Sequence, residues 1–526
     1  MMGRKHIELI LLTFLFIVAF YFWTLPFQSN PIPYGDVDSS THFALADYMG
    51  QHDAALYYLP YYIAAGGYID EGAGRLWYPP QFHLTAAMSQ ILASHRTFGI
   101  LLFHAIANFA IVFTSYLLIR HLYGMSAAFL SSFLLIFSIR DIIWYVAGQY
   151  PQVLAFALVP VTLYCYYRYI TDNAKKLYIY LAAIVLGIQF YMHPQSILAS
   201  ALIAGIFTLL YFSKTRKIPF KIQDFAIFIA IAAIMIIPVY SFPFSSQSGY
   251  TGAVSSGAGI HPEYFHTLKY WYGLRDEQGN IKPVGINIEY YYFSAMHAGY
   301  WILVLSMIGI GFMLLRRNTA DLLMLSWIIA FYILSHDFVF GLFRAERFVE
   351  TEAHFLYPIA ALGLLGIPSV VKLNDDLKRY VKYGLMALFL ILAITMNAKA
   401  AYTWLNGAYP GINRLTPPQY EVSEWLYKNT PEQSDILIKG TVIYTKKKWI
   451  QAMSQRHIDW VRQDIAEMHD YVLLDYSDLY FLSQNPQYQQ AMQAQGVALQ
   501  DWEQKSLANS TIVYNNQGIV KVYKLG

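Results

Sequence analysis

The stretch GDVDSSTHFALADYM, Gly35 to Met49, places Asp36, Asp38 and His42 within seven residues, directly after a long apolar run. Two carboxylates this close raise each other's pKa unless a cation lies between them, and a hard divalent ion such as Mg²⁺ or Mn²⁺ would keep both ionised. A carboxylate in this position suits a general base or a metal ligand. Because Asp is also a preferred N-cap, Asp38 could instead cap a helix that begins at Ser39. Spacing alone leaves both interpretations open.

Other candidate binding residues lie beside the ends of apolar runs. Arg140-Asp141 is a second polar pair, for which a local ion pair worth ~0–1 kcal/mol is the alternative. Arg344 and Arg347 suit a phosphate, because guanidinium binds phosphate through two parallel hydrogen bonds, whereas a solvated turn is the alternative. Four residues are candidates for substrate binding: His42, His83, His193 and Glu263. Alternatively, His193 lies in a turn that ends a helix, and His83 satisfies backbone groups in a tight loop.

The composition indicates the environment in which these groups work. Of 526 residues, 56% are hydrophobic and only 13% are charged, about half the charged share of a soluble domain. The net charge of +3 is too small to indicate binding of nucleic acid, and the single cysteine, Cys165, excludes an intramolecular disulfide. The 45 tyrosines suit the interfaces of a bilayer. These properties favour a membrane protein over a large soluble helical protein.

Apolar runs close to the length of a membrane span recur along the chain. The first follows a short basic start, and we interpret it as a retained helix because the run is long and no small-residue cleavage site follows it. Eleven spans are predicted, near 7–25, 97–119, 125–139, 150–167, 177–192, 197–212, 225–240, 300–315, 322–342, 354–371 and 380–398.

Lysines and arginines in the short connections orient these spans. With the N-terminus in the cytoplasm, every short basic cluster falls on the cytoplasmic side, from Arg120 to the group that ends at Lys382. The outer side then receives long loops at about 26–96 and 241–299. An odd number of spans places everything after about residue 400 outside as well. The predicted location is a prokaryotic plasma membrane.

The last part of the chain has a different pattern. Residues 401–526 are more polar, and their periodic segments are shorter. Pro417-Pro418 opens a predicted helix, DILIKG and YVLLDY have the pattern of strands, and TIVYNNQGIVKVYKL has the pattern of a hairpin. The sequence therefore predicts a membrane domain over 1–400 and a small extracytoplasmic α/β domain over 401–526.

Five segments together resemble a known group of proteins. They are GDVDSSTHFALADYM, WYPPQFH at 77–83, Arg140-Asp141, LFRAERF at 342–348 and SEWLYKNTPEQSDIL in the tail. With the long first outer loop and the outer tail, they resemble the GT-C superfamily of polytopic glycosyltransferases. This superfamily includes the oligosaccharyltransferase catalytic subunits, the protein O-mannosyltransferases and the aminoarabinose transferases.

The resemblance implies a catalytic function at the outer face of the membrane. Asp38 would be the catalytic base or a metal ligand, supported by Asp36 and Asp141, and Arg344 or Arg347 would hold the donor phosphate. The donor would be a polyprenyl-phosphate or polyprenyl-pyrophosphate sugar, transferred with inversion to a sugar, lipid or protein acceptor. The tail lacks the Trp-Trp-Asp-Tyr-Gly motif with which oligosaccharyltransferases recognise asparagine acceptors, so the acceptor stays open.

Two other functions compete with this one. A transporter or flippase for a lipid-linked glycan tends to keep ionisable residues near the bilayer midplane, and mid-span charges are nearly absent here. A non-catalytic membrane assembly protein would leave the outer acidic residues without a common role. The sequence therefore favours the enzyme.

Overall fold

The structure is a computed structural model of the chain. It describes residues 4–52, 60–64, 80–93, 95–172, 175–218, 220–241, 274–275, 281–282, 300–334, 348, 351–372, 374–405, 414–440, 442, 444–459, 469–478 and 507–525. The predicted site residues Glu263, Arg344 and Arg347 lie outside these ranges.

The chain divides into two compact units. Unit 1 contains Met1–Trp23, Ala105–Trp144 and Tyr150–Trp404. Unit 2 contains Thr24–His104, Tyr145–Gln149 and Leu405–Gly526. The unit that contains the tail thus also contains the first predicted outer loop. The domain boundaries predicted from the sequence, 1–400 and 401–526, stay a prediction.

Helices make up most of the described chain up to the tail. In chain order they are α1 Arg4–Gln28, α2 Val37–His52, α3 Tyr61–Ala64, α4 Gln81–Ile91, α5 Arg96–Tyr123, α6 Met125–Ile136, α7 Ile139–Ala147, α8 Tyr150–Ala157, α9 Val159–Thr171, α10 Lys176–Met192, α11 Gln195–Thr215, α12 Ile222–Ser241, α13 Tyr300–Arg316, α14 Thr319–Leu334, α15 Glu352–Val370 and α16 Asp375–Thr403. Two short antiparallel strands, β1 Leu274–Arg275 and β2 Ile281–Lys282, precede α13.

Many of these helices are apolar enough to cross a membrane. In the described residues six are also long enough, namely α1, α5, α8 with α9, α11, α15 and α16, and the bent pair α6–α7 would be a seventh. Shorter apolar helices, α10, α12, α13 and α14, lie on the remaining predicted runs. The prediction of a multi-pass helical membrane protein is confirmed, whereas the number of eleven spans stays a prediction.

Acidic residues of the apolar helices in unit 1 accept hydrogen bonds from side chains on other helices. Glu8 on α1 accepts a hydrogen bond of 2.6 Å from Arg120 Nε on α5. Asp321 on α14 accepts from Tyr123 at 3.1 Å and from Arg316 at 2.7 Å. Because an unpaired charge in apolar surroundings is costly, these bonds hold the helices in register.

The tail forms a five-stranded sheet with two helices. The elements are α17 Pro417–Asn429, β3 Asp435–Gly440, α18 Tyr444–Ser454, β4 His457–Asp459, β5 Tyr471–Asp475, β6 Thr511–Asn516 and β7 Val520–Lys524. The strand order is β4-β3-β5-β7-β6; β3 is parallel to β4 and β5, and β7 is antiparallel to β5 and β6. The predicted small α/β domain is confirmed, including the helix that opens at Pro417 and the hairpin.

One apolar core joins the first predicted outer loop to the tail within unit 2. Phe43 on α2 and Ala86 on α4 are buried in the same cluster as Val422 on α17, Ile436 on β3 and Trp449 on α18. The sequence predicted the tail as a separate domain, yet its helices bury their apolar faces partly against α2. The residues that open α2 are therefore positioned by the tail.

Candidate active site

The acidic motif begins at a backbone turn held by two glycines. Gly35 and Gly148 have φ of +123° and +85°, which disfavour any residue with a side chain. A Cβ on Gly148 would lie 2.1 Å from the Ser39 nitrogen. This close approach lets Val146 O accept from Asp36 N at 2.7 Å and from Ser39 Oγ at 3.2 Å. The turn after α7 thus fixes the start of α2.

The two carboxylates of the motif have different surroundings. Asp38 is exposed, and its carboxylate accepts a hydrogen bond from Gln149 Nε2. Asp36 is half-buried, and its Oδ1 accepts from Thr445 Oγ1 at 3.4 Å. Trp449 Nε1 donates to Gly35 O at 2.8 Å, so α18 of the tail also holds the turn. An exposed carboxylate on a fixed frame is accessible to a bound acceptor, as a general base must be.

The helix-cap interpretation of Asp38 does not fit the structure. Helix α2 begins at Val37, so Asp38 lies inside its first turn and not before it. The backbone carbonyl of Asp36 accepts from Ser39 N at 2.9 Å. The residue just outside the helix is therefore Asp36.

His42 and His83 form a buried pair. His42 Nδ1 lies 2.8 Å from His83 Nε2, and the two rings are stacked. Burial lowers the pKa of His83 to about 3, so this ring is neutral at physiological pH. One imidazole then donates to the other. The pair holds α2 against α4. Direct contact of either ring with substrate stays a prediction.

Arg414 is a residue of this region that the sequence analysis missed. Its guanidinium lies 5.1 Å from the ring centroid of Tyr34, the residue before Gly35, and donates to Pro26 O. Its Nε has no hydrogen-bond partner among the described residues, and none of their acidic side chains pairs with it. Burial lowers the pKa of Arg414. A cation that contacts Tyr34 and has no acidic partner in the described part of the chain suits a ligand phosphate.

Asp141 lies in unit 1, in a buried polar cluster. Its backbone nitrogen donates to Ser138 Oγ at 3.3 Å, which caps the start of α7. Its Oδ1 lies 2.8 Å from His354 Nε2 on α15, and both side chains are buried. The structure thus places on Asp141 a histidine that is 213 residues away, and the local ion pair with Arg140 stays an alternative. No sequence pattern marked His354.

Four predicted site residues remain: His193, Glu263, Arg344 and Arg347. His193 lies in unit 1, at the junction of α10 and α11, where its carbonyl accepts from Ser196 Oγ at 2.9 Å. This is the turn that the sequence offered as the alternative role. Glu263, Arg344 and Arg347 lie outside the described residues, and their roles stay predictions.

Three acids, Asp36, Asp38 and Asp141, are the predicted metal ligands. Among the described residues no three side chains of His, Cys, Asp or Glu are grouped to hold a metal ion. Asp36 and Asp38 belong to unit 2, whereas Asp141 belongs to unit 1. A requirement for Mg²⁺ or Mn²⁺ stays a prediction, and the mechanism proposed below uses only groups of the chain.

Replacing Gly148 by Ala is expected to impair activity, because this turn holds the start of α2, where Asp38 lies. The left-handed backbone alone costs about 1–2 kcal/mol for a residue with a Cβ, and the contact with Ser39 N adds to it. We expect reduced turnover with little change in total helicity, measured by an activity assay and circular dichroism. Gly124→Ala is the control, because Gly124 also has a positive φ, but no atom lies within 4 Å of the place that its Cβ would take. Equal effects of the two variants would contradict the positional role of Gly148.

Comparisons with known proteins agree with this architecture. A family model described as dolichyl-phosphate-mannose-protein mannosyltransferase matches residues 78–242. The oligosaccharyltransferase of Archaeoglobus fulgidus in the apo form has a TM-score of 0.61 at 13% identity, over 90% of this chain and 70% of that chain. The chain has the GT-C fold.

A second solved protein supports the GT-C assignment over the whole length. ArnT from Cupriavidus metallidurans has a TM-score of 0.54 in the apo state at 10% identity, over 97% of each chain. The same protein bound to undecaprenyl phosphate has a TM-score of 0.54 at 11% identity, over 99% of this chain and 98% of that chain. No curated protein matches the sequence. The predicted GT-C fold is confirmed, and glycosyltransferase activity is taken up as a proposal below.

Proposed function

We propose that this GT-C protein transfers a sugar from a polyprenyl-phosphate or polyprenyl-pyrophosphate donor to an acceptor on the extracytoplasmic side of the membrane, with inversion of the anomeric centre. The observation that carries the proposal is the turn Tyr34–Asp38. It presents an exposed carboxylate and lies beside an arginine that has no acidic partner among the described residues. A base that activates the acceptor and a cation that binds the leaving phosphate are the two groups that transfer from a lipid phosphate needs.

The proposed reaction is one displacement at the anomeric carbon. Asp38 accepts the proton of the acceptor nucleophile as its oxygen bonds to that carbon. The bond from carbon to the phosphate oxygen breaks on the opposite face, and the electron pair leaves with the lipid phosphate. A single displacement inverts the centre. Gln149, which donates to Asp38, keeps the carboxylate oriented during the step.

The leaving group needs charge neutralisation more than protonation, because a phosphate already has a low pKa. Arg414 is our first candidate for this role, and the predicted Arg344 and Arg347 are further candidates. The structure of ArnT bound to undecaprenyl phosphate supports a polyprenyl phosphate as the lipid part of the donor. The oligosaccharyltransferase relative and the mannosyltransferase family model support a sugar as the transferred group.

The sidedness of the reaction follows from the charges of the connections. The basic clusters favour a cytoplasmic N-terminus, and an odd number of spans then places the tail outside. Because unit 2 contains both the tail and the acidic motif, the reaction would occur on the outer side of a prokaryotic plasma membrane. A cysteine added at Asn509 and labelled by a membrane-impermeant maleimide in intact cells would support this orientation.

The first experiment measures release of free polyprenyl phosphate. Purified protein is given a panel of polyprenyl-linked sugars, with and without EDTA, beside Asp38→Asn. Release by the wild type and not by the variant supports the proposed function, and the panel identifies the donor. Sensitivity to EDTA would support the predicted metal. If every donor stays intact even with broad acceptor extracts, the flippase and assembly functions become the better proposals.

Replacing Arg414 by Gln is expected to raise the KM for the donor by about 10–100-fold, because a hydrogen bond to a charged group contributes about 1.5–3 kcal/mol. Arg414→Lys keeps the charge and should recover part of the loss. The measurement is a donor titration at fixed acceptor. An unchanged donor KM in Arg414→Gln would remove Arg414 from the phosphate site and leave Arg344 and Arg347 as the candidates.

A further inference from the structure

A cavity of about 420 Å³ lies between the last two turns of α15 and the first turns of α16, both in unit 1. Its wall on α15 includes Leu365, and its wall on α16 contains Lys378, Arg379, Lys382 and Tyr383. The volume lies within the range of about 300–1,000 Å³ that is usual for sites of small molecules. None of these residues belongs to the acidic motif or to the groups proposed for transfer, so the cavity needs a separate explanation.

Three positive charges share this cavity. Lys378 and Lys382 are four residues apart on α16, and Arg379 and Lys382 are three apart, so the three side chains occupy neighbouring positions on one face of the helix. Like charges at these spacings destabilise a helix. None of the three forms an ion pair with a residue that the structure describes, including the acids of the same helix, Asp375 and Asp376. An anion in the cavity would relieve the repulsion.

Cations at three other connections of unit 1 do have acidic partners. The pairs are Arg120 with Glu8, Arg168 with Asp172, and Arg316 with Asp321. The orientation of the spans accounts for basic residues at a connection, but it does not require that three of them line one cavity. The cations of the cavity thus favour an anion from outside the chain, and a phosphate suits both lysine and arginine.

The surface beside the cavity favours a phospholipid over a free phosphate. Tyr383, which lines the cavity, is 56% exposed. From Tyr383 a stripe of exposed residues continues at helical spacing along α16, namely Ala387, Ile391 and Ile394. Because α16 is long and apolar enough to cross a membrane, this stripe is open to hydrocarbon in the described structure. An acyl chain would pack along the stripe, whereas a free phosphate would gain nothing from it.

We propose that this cavity binds the phosphate of one anionic phospholipid, such as phosphatidylglycerol, with an acyl chain of the lipid against the stripe from Tyr383 to Ile394. The two lysines and the arginine neutralise the headgroup, and Leu365 and Pro368 contact its apolar part. A zwitterionic lipid is the poorer ligand, because its ammonium group would lie among three positive charges.

The predicted orientation of the chain agrees with such a ligand. The basic connections place this cavity at the predicted cytoplasmic interface, and basic pockets between helices on that side bind anionic headgroups. The proposal does not depend on the transferase function, since it assigns a second lipid site that is separate from the donor site.

The test titrates delipidated full-length protein in uncharged detergent with dioleoyl phosphatidylglycerol or with dioleoyl phosphatidylcholine, and native mass spectrometry counts the bound lipids. We expect one phosphatidylglycerol to bind with a Kd at least about tenfold lower than that of phosphatidylcholine. The triple variant Lys378→Gln, Arg379→Gln, Lys382→Gln should raise the Kd for phosphatidylglycerol by at least about tenfold and leave that for phosphatidylcholine unchanged.

The matched control removes three exposed cations from the same predicted side of the membrane. It is the triple variant Arg216→Gln, Lys217→Gln, Lys221→Gln at the connection of α11 and α12. This variant should bind phosphatidylglycerol as the wild type does, because its side chains do not line the cavity. An equal loss in both triple variants would indicate diffuse attraction to a basic surface and would overturn the proposal. An unchanged Kd in the first variant would place the lipid elsewhere, such as at the donor site, with the same consequence.

Glycerol 1-phosphate as a competitor separates the contribution of the headgroup from that of the acyl chains. We expect its Kd to be at least about tenfold higher than that of phosphatidylglycerol, because it cannot pack along the stripe. If glycerol 1-phosphate binds as tightly as the lipid, the cavity is a site for free phosphate, and the lipid proposal is wrong.

A second measurement does not depend on a variant that folds. Hydrogen exchange of the wild type should become slower at 378–387 with phosphatidylglycerol and not with phosphatidylcholine. Equal exchange of this segment with both lipids would contradict the site.

Discussion

Replacing Asp38 by Asn is expected to lower the release of polyprenyl phosphate by about 10²–10⁴-fold, the usual contribution of a general base. Asparagine has the same shape, and its Oδ1 can still accept the hydrogen bond from Gln149. The frame of Gly35, Asp36 and Val146 should therefore persist, and the loss should appear in kcat more than in the donor KM. The measurement is turnover at saturating donor, with the melting temperature as a check of folding.

A matched control separates the chemical role of Asp38 from its charge. Asp376 is also an exposed aspartate in the first turn of a helix, α16, so Asp376→Asn removes the same favourable interaction with a helix N-terminus. We expect its turnover to equal that of the wild type. Asp38→Glu should restore part of the activity if a carboxylate is what matters. Full activity in Asp38→Asn would refute the base and favour the flippase or assembly function.

Replacing Asp47 by Ala is expected to destabilise unit 2 by about 3–5 kcal/mol, the cost of removing one partner of a buried ion pair. Asp47 has no exposed surface and accepts from Arg96 Nε at 2.9 Å, from Gln90 at 2.8 Å and from Gln455 at 2.7 Å. Alanine removes the buried acceptor that these three donors share, although Arg96 keeps its 3.2 Å bond to Glu424. Gln455 belongs to the tail and Asp47 to α2. The variant should therefore weaken the attachment of α2 to the tail, so that the two parts unfold at different temperatures.

The control for Asp47 lies on the surface between the same two segments. His52, at the end of α2, is 3.6 Å from Glu432 of the tail, and both side chains are substantially exposed. Exposed pairs contribute about 0–1 kcal/mol, so Glu432→Ala should hardly change the melting temperature. The measurement is thermal unfolding in detergent followed by tryptophan fluorescence. If Asp47→Ala lowers the melting temperature no more than Glu432→Ala, the buried network is not what joins α2 to the tail.

The apolar helices and the tail elements could be predicted because they depend on local patterns. A run of apolar residues partitions into a bilayer whatever its neighbours are, so each predicted run falls on an apolar helix. In the tail, Thr416 and Gln419 form a capping box around Pro417-Pro418, which starts α17 where the prolines indicated. Asn515 Oδ1 accepts from Gly518 N in the predicted hairpin turn.

The candidate site could be predicted only in its contiguous part. The acids of GDVD were visible because they lie together in the sequence and follow a span. The sequence did not indicate Arg414 or His354. Arg414 is hydrogen-bonded to Pro26, 388 residues away, and His354 to Asp141, 213 residues away. The local sequence around an arginine or a histidine does not predict a hydrogen-bond partner so distant in the chain. His42 and His83 were separate candidates in the sequence, and only the structure shows that they meet in a buried pair.

By itself the sequence determined that this chain is a multi-pass membrane protein, that acids follow its first span, and that a small α/β domain follows its last. These properties are set by hydropathy and short-range periodicity. Only the tertiary structure decided that α2 shares a core with the tail, that the turn at Val146 and Gln149 holds the acidic motif, and that α18 contacts Asp36. Those contacts join residues that are distant in the chain, and packing energy, not local propensity, selects them.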